Sequence, residues 1–134
     1  MGRRKPPFLR VLILAILIKE GKLHGYSLYK RILYHTCMKW KPSIGTVYRI
    51  LNEMTEEGLV TKHTEGRRHY YAITPDGIKY FLKNSKTPLT RMAGVLTIVL
   101  DAYLKASGEG ADTLTKDLRG RLRALRKVLQ SHDI

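Results

Sequence analysis

The first apolar stretch of the chain, Phe8 to Lys19, is hydrophobic on nearly all sides, the pattern of a helix enclosed by other elements. Gly21 supplies its stop. From about Gly25 to Thr36 the apolar positions Leu28, Ile32 and Leu33 recur at helical spacing, and Tyr26, Tyr29 and Tyr34 extend the faces. Lys41-Pro42-Ser43 is a boundary, because proline disfavours a helical residue before it and Ser43 is a good N-cap. A third helix is predicted from Ile44 to about Glu57, with Ile44, Val47, Leu51 and Met54 on its core face and Gly58 at its end. The period then changes. Leu59 to Thr64 and Arg67 to Thr74 are rich in β-branched and aromatic residues and read as two strands joined at Glu65-Gly66.

Thr74-Pro75 is a cap followed by a first-turn proline, so a new helix starts there. Asn84-Ser85-Lys86 is expected to interrupt it, and Thr87-Pro88 repeats the cap-and-proline signal, opening another helix to about Ala106. Ser107-Gly108-Glu109-Gly110 reads as a loop, after which Asp112 or Thr113 caps a last helix running to about Gln130. No internal repeat or low-complexity tract is present. The predicted fold class is mainly α with a small β-hairpin: a winged helix-turn-helix with a basic N-terminal arm over residues 1–84, then C-terminal dimerisation helices over 85–134.

A two-stranded hairpin cannot stand alone in water and must pack on the helices. The short turn before Ser43 makes the third helix a candidate recognition helix, whose N-terminal residues face base edges in a major groove. Gly45, Thr46, Arg49 and Asn52 fall on its non-core side. The hydroxyls of Ser43, Thr46 and Tyr48 suit phosphate or base contacts; Arg49 suits a bidentate pair with guanine and Asn52 one with adenine. Gly45 lets the backbone approach the sugar-phosphate chain closely. Arg67 and Arg68, at the hairpin tip, suit the minor groove or its phosphates. Ordinary solvated helix and turn surfaces are the competing reading of both groups. Glu53, Glu56 and Glu57 sit late in the helix, disfavoured by DNA and by the helix dipole, and are expected to pair with local lysines or arginines.

Four segments together carry a resemblance: Leu23-His24-Gly25-Tyr26-Ser27-Leu28, Pro42-Ser43-Ile44-Gly45-Thr46-Val47-Tyr48, Glu56-Glu57-Gly58-Leu59-Val60, and Arg67-Arg68-His69-Tyr70-Tyr71-Ala72-Ile73-Thr74-Pro75-Asp76-Gly77. In that order they resemble the PadR family of transcriptional regulators, over roughly residues 8 to 82. The resemblance implies a winged-helix DNA-binding domain, a C-terminal helical dimerisation region and, usually, repression. It also implies that some members sense small aromatic or cationic effectors. Where the family often has proline after the tyrosine of the third helix, Arg49 follows Tyr48 here, which alters the expected base readout. From Thr87 onward no family pattern is matched, so a small-molecule effector is not carried over.

The C-terminal region has its own logic. Leu89 to Leu104 is nearly continuously apolar, with Met92, Leu96, Val99, Leu100 and Tyr103 among its residues. A helix apolar all round needs cover on all sides, which a second copy of the chain would supply. In the last helix Leu118, Leu122, Leu125 and Leu129 follow steps of four, three and four, a coiled-coil-like seam. Its other faces carry Arg119, Arg121, Arg123, Arg126 and Lys127, which fit a solvated face, a second DNA-facing stripe or a membrane-surface helix.

Composition narrows the partners. The 134 residues include 25 lysines and arginines against 11 acidic residues, a net charge of +14. Residues 1–41 alone hold ten basic groups and one acidic. This excess favours a polyanion, and double-stranded DNA fits the helical layout best. Cys37 is the sole cysteine, so no intrachain disulfide forms; a reducing, cytoplasmic compartment and a buried or half-buried thiol are expected. The apolar run Val11 to Ile18 is far shorter than the roughly 20 residues a membrane span needs, and Lys19-Glu20-Gly21-Lys22 replaces a signal-cleavage pattern. His24, His35, His63, His69 and His132 show no metal-ligand spacing, although His63 and His69 can face each other across the hairpin. No phosphate-binding glycine loop or nucleophile elbow appears, so no metal, cofactor or enzymatic activity is expected. The expected function is a sequence-specific DNA-binding regulator, a repressor acting as a homodimer on a palindromic operator. The alternatives are a winged helix used for protein–protein contact and an RNA-binding module.

Overall fold

The computed structural model describes residues 8–37, 42–108 and 110–134. The expected basic arm Arg3-Arg4-Lys5, Pro6-Pro7, the turn residues 38–41 and Glu109 lie outside the described residues. The elements are α1 (Phe8–Glu20), β1 (Leu23–His24), α2 (Gly25–His35), α3 (Ile44–Glu56), β2 (Val60–Glu65), β3 (Arg68–Ile73), α4 (Pro75–Ser107), a 3-10 turn (Gly110–Thr113) and α5 (Lys116–Ser131). This is the mainly helical winged-helix class with a small antiparallel sheet. The chain divides into two compact units, Met1–Thr90 and Arg91–Ile134, and α4 contributes to both.

In the first unit α1 is the central rod. Ile13, Leu14 and Leu17 are almost fully buried, against Leu28 and Ile32 of α2, Val47, Leu51 and Met54 of α3, and Val60 and Tyr71 of the sheet. Each such side chain contributes about 1.5–3 kcal/mol, which is why three short helices and a hairpin cohere. The strands run in the order β1-β3-β2, with Leu23 opposite Tyr71, His24 opposite Tyr70, Val60 opposite Ile73 and Glu65 opposite Arg68. The sequence pattern does not announce β1, because two residues are too few to show an alternation. This strand covers the inner end of β3, so Tyr71 is buried on a three-stranded base while the rest of the hairpin runs into solvent.

Local chemistry sets the joints. Ser43 caps α3 by accepting from the Thr46 amide at 3.0 Å. Thr74 Oγ1 accepts from the Gly77 amide at 3.0 Å and donates toward the Gly58 and Leu59 carbonyl oxygens, 2.7 and 3.0 Å away. Gly77 is buried under Leu59; a Cβ there would overlap the Leu59 carbonyl oxygen. The start of α4 is thereby clamped to the base of the wing.

Several expectations are corrected. Asn84-Ser85-Lys86 does not interrupt a helix, and Thr87-Pro88 does not open one: α4 is continuous for 33 residues with Pro88 inside it. The fixed φ of proline is helical in either setting, so the same dipeptide signal serves a helix start and a helix interior. The Asn84 side chain donates to the Tyr80 carbonyl within the helix instead of ending it. Ile44 does not take the core face; it is 39% exposed in the first turn of α3, and Ile50 is buried instead. Cys37 is exposed, at a left-handed position (φ 57°) where the chain turns out of α2. His63 and His69 do not face each other, because the register pairs them with Tyr70 and Thr64 and points them to opposite faces. The last helix is capped by Thr115, since Thr113 is already used in the 3-10 turn, where its hydroxyl donates to the Gly110 carbonyl.

In the second unit no described residue between 91 and 134 is buried. Leu96, Leu100, Leu122 and Leu129 are half-buried; Met92, Val99, Tyr103, Leu118 and Leu125 are exposed. The Tyr103 hydroxyl donates to the Thr113 carbonyl at 3.2 Å, joining α4 to the loop before α5.

Candidate nucleic-acid interface

Helical spacing lays Gly45, Arg49, Asn52 and Glu56 along one line of α3, and all four are exposed. On the opposite side Val47, Ile50, Leu51 and Met54 are buried. Ser43 stands at the head of this stripe with its hydroxyl 2.9 Å from that of half-buried Thr46. These two hydroxyls serve the helix cap first, and any contact with an anion would share them. Around Gly45 the space is open: the atom nearest to where a Cβ would stand is Ser43 Oγ, at 3.8 Å.

Tyr48 departs from the simple picture. Its ring leans from the edge of α3 onto α2 and is half-buried there. Gly25 makes the room: a Cβ at that position would lie 2.7 Å from the Tyr48 hydroxyl. The Tyr71 hydroxyl is held above its ordinary pKa, first by burial and then by the neighbouring Tyr48.

Behind the stripe lies a cluster that joins α1 to α3. The Arg10 guanidinium, with 13% of its side chain exposed, grips Glu57 through two bonds of 2.8 and 2.7 Å and reaches Glu53 at 3.4 Å. Its carbon also lies 5.8 Å from the Tyr80 ring centroid, over the face. The bond to Glu57 raises the Arg10 pKa, and the same bond lowers that of Glu57. The second oxygen of Glu53 accepts from Arg49 Nη1 at 3.0 Å. Glu53 and Glu57 do pair with arginines, but Arg10 comes from 43 and 47 positions away in sequence. The available signal is Arg10 itself, a cation in the first turn of a helix that is otherwise apolar up to Lys19.

The wing is a second, separate feature. β2 is exposed from Thr61 to Glu65, and Arg67 and Arg68 are both exposed at its turn, where Gly66 adopts φ 63°. Toward the tip of this arm Lys22 pairs with Glu65, the last residue of β2, at 3.0 Å and sits 5.1 Å over the Tyr70 ring. Sequence reasoning misses both contacts, because Lys22 precedes the unannounced β1. Thr64 Oγ1 and His69 Nδ1 are 3.0 Å apart on one face of the hairpin, and Thr61 Oγ1 and His63 Nε2 are 3.1 Å apart on the other. Among the described residues no group of His, Cys, Asp or Glu is arranged to hold a metal ion, and no helix is long and apolar enough to cross a membrane.

Comparison with known proteins agrees with this layout. The model of the transcriptional regulator PadR-like family matches residues 13–83. The transcriptional regulator YqjI of Escherichia coli strain K12 is 35% identical over 88 residues, which cover 62% of this chain and 42% of that protein. The chain thus spans less than half the length of that relative. A transcriptional regulator from Clostridium thermocellum superposes with a TM-score of 0.58 and 29% identity, over 69% of this chain and 90% of the other. A PadR-like transcriptional regulator from Bacillus cereus strain ATCC 14579 shares the fold with a TM-score of 0.57 and 24% identity, over 68% and 90% of the two chains.

Proposed function

Because the chain belongs to the PadR-like family of transcriptional regulators, we propose that it binds duplex DNA in a sequence-dependent way and represses transcription as a homodimer on a palindromic operator. The observation that carries this reading is the exposed line Gly45, Arg49, Asn52 behind the Ser43 cap of α3. It offers a close backbone approach, a guanidinium and a carboxamide on one side of a helix whose other side is buried. Ser43 and Thr46 add hydroxyls at its head, the half-buried Tyr48 hydroxyl stands farther back beside α2, and Arg67 and Arg68 give the wing two charges for phosphates or the minor groove. The net charge of +14 suits the same partner.

The division of labour follows the two groups of residues. Residues 1–84 bind DNA and 85–134 pair two copies. Met92, Leu96, Val99 and Tyr103 follow the same steps of four, three and four as Leu118, Leu122, Leu125 and Leu129. With no described residue of 91–134 buried, both seams, together with Leu100, are open for a partner. One winged helix reads few base pairs, whereas a two-fold pair reads two half-sites about 34–36 Å apart or a multiple of that. The protein works in the cytoplasm, and DNA readout by this stripe calls on no cofactor.

A gel-shift comparison tests the reading against its alternatives. Duplex DNA carrying the sequence upstream of the chain's own gene is set against a structured RNA of equal length, at physiological salt. Tighter binding of the duplex, with competition by specific but not scrambled DNA, is the expected result. Preference for the RNA supports an RNA-binding module, and no binding to either supports a protein–protein module.

A further inference from the structure

The cluster behind α3 goes beyond the assignment of Arg49 as a base-reading residue, though the inference rests on that reading. We propose that Glu53, anchored by Arg10, is a positioning residue that sets the sequence selectivity of Arg49.

The two oxygens of Glu53 are divided between two arginines. One lies 3.4 Å from Arg10 Nη2, the other 3.0 Å from Arg49 Nη1. Arg10 is itself held, by two short bonds to Glu57 and by burial against the core. A stationary cation therefore fixes Glu53 from behind, and Glu53 fixes Arg49 in front. An isolated pair of this kind would do little. Arg49 and Glu53 are four residues apart with the cation on the N-terminal side, the weaker of the two orientations on a helix. Both side chains are substantially exposed, at 62% and 43%, where ion pairs are screened and side-chain entropy opposes them. The anchor changes this balance, because a carboxylate already immobilised asks little further ordering of its second partner.

Two consequences follow for DNA. Arg49 presents a guanidinium with one amino group already committed, which limits the orientations in which its remaining donors meet a base edge. The negative charge of Glu53 also offsets the attraction of Arg49 for phosphate in general. A free arginine at this site would bind any duplex; a tethered one gains only where a base offers it acceptors in the permitted geometry. Selectivity is thus achieved by weakening the wrong complexes as well as by fitting the right one.

The test uses the full chain, its Glu53→Gln and Arg49→Ala variants and the double variant. The probes are the best-bound 30-base-pair duplex that the wild-type chain recovers from a random pool and a scrambled duplex of the same composition. Glu53→Gln is expected to reduce the ratio of the two affinities about tenfold, the lower end of what a bidentate arginine–guanine pair confers. The loss comes mainly from tighter binding of the scrambled duplex, with a salt slope steeper by about one unit as Arg49 turns to phosphate. In the Arg49→Ala background the same substitution changes neither quantity. A role confined to fold stability would lower the unfolding temperature and leave the ratio and slope alone, which overturns the proposal. So does an equal effect with and without Arg49. Should Glu53→Gln not fold, Glu53→Ala, with its higher helix propensity, serves with the same expected outcomes. If the wild-type chain enriches no sequence at all, the DNA reading itself fails, and this inference with it.

Discussion

Substituting Gly77 by alanine separates two opposing expectations about the joint between wing and α4. Judged by helix propensity alone, alanine at this position stabilises by up to about 1 kcal/mol. Judged by space, it cannot be accommodated. Its methyl would overlap the Leu59 carbonyl oxygen and lie 2.7 Å from Ile73 Cγ1. That carbonyl has little freedom to retreat, because it accepts from the Thr74 amide at 3.1 Å and from the Thr74 hydroxyl at 3.0 Å. Overfilling a packed site costs about 1–3 kcal/mol, and prising Thr74 from its cap adds about 1 kcal/mol. After the propensity gain the net is a loss of about 2 kcal/mol. For a chain of this size the unfolding midpoint falls by about 4–8 °C. Gly120→Ala is the matched control: nothing lies within 4 Å of a Cβ there, so the gain of up to about 1 kcal/mol is kept and the midpoint rises. Both are read by calorimetry at one fixed protein concentration, since association shifts the midpoint. If Gly77→Ala melts at or above the wild-type temperature, the clamp between Leu59 and α4 is not what holds the wing.

Other substitutions probe the interface, the ion pair and the second unit. Arg49→Ala is expected to cost about 1–3 kcal/mol on a selected duplex and to relax the preference at one base, whereas Arg67→Ala with Arg68→Ala weakens all duplexes alike and flattens the salt slope by up to about one unit per lost contact; fluorescence anisotropy across a salt series distinguishes the two. Because Arg10 lowers the pKa of Glu57, that carboxylate stabilises the fold fully above its ordinary value of 4.5 and ceases to do so as the pH falls through the lowered one. Glu57→Gln should therefore lose about 1 kcal/mol at neutral pH, a modest sum because the carboxylate is half-exposed, and its urea-unfolding stability should converge on wild type in acid. Leu122→Glu with Leu125→Glu places charges in the α5 seam; sedimentation should then show one species at 15.4 kDa, against the dimer expected of the wild-type chain, and tight operator binding should be lost with it.

What is legible in the chain is what neighbours in sequence decide. Ser43 and Thr74 announce their caps, because the side chain bonds to an amide only three residues on. The burial of Val47, Leu51 and Met54 follows from spacing alone, and with it the exposure of Gly45, Arg49 and Asn52. Ile44 escapes the same rule because it lies in the first turn, ahead of the helix's contact with the core. Pro88 misleads because a proline after threonine has one backbone geometry for two contexts, and only the packing that buries Ser85 and Pro88 distinguishes them. The pairing of Leu23–His24 with β3 and the grip of Arg10 on Glu57 join residues more than 40 positions apart, about 47 in the second case by the same count, so no local pattern announces either. Of the candidate site, then, the exposed stripe is readable and the device behind it is not.

If α3 reads a particular DNA sequence, the chain protects that sequence and leaves the rest of a fragment open. A nuclease footprint on the DNA upstream of its own gene tests this most directly, with purified chain at physiological salt and scrambled duplex in excess. Two protected segments related by two-fold symmetry are expected, their centres about 10 base pairs or a multiple apart, with no such protection by Arg49→Ala at the same concentration. Uniform protection along the fragment, or none while the chain still binds scrambled duplex equally well, would contradict it.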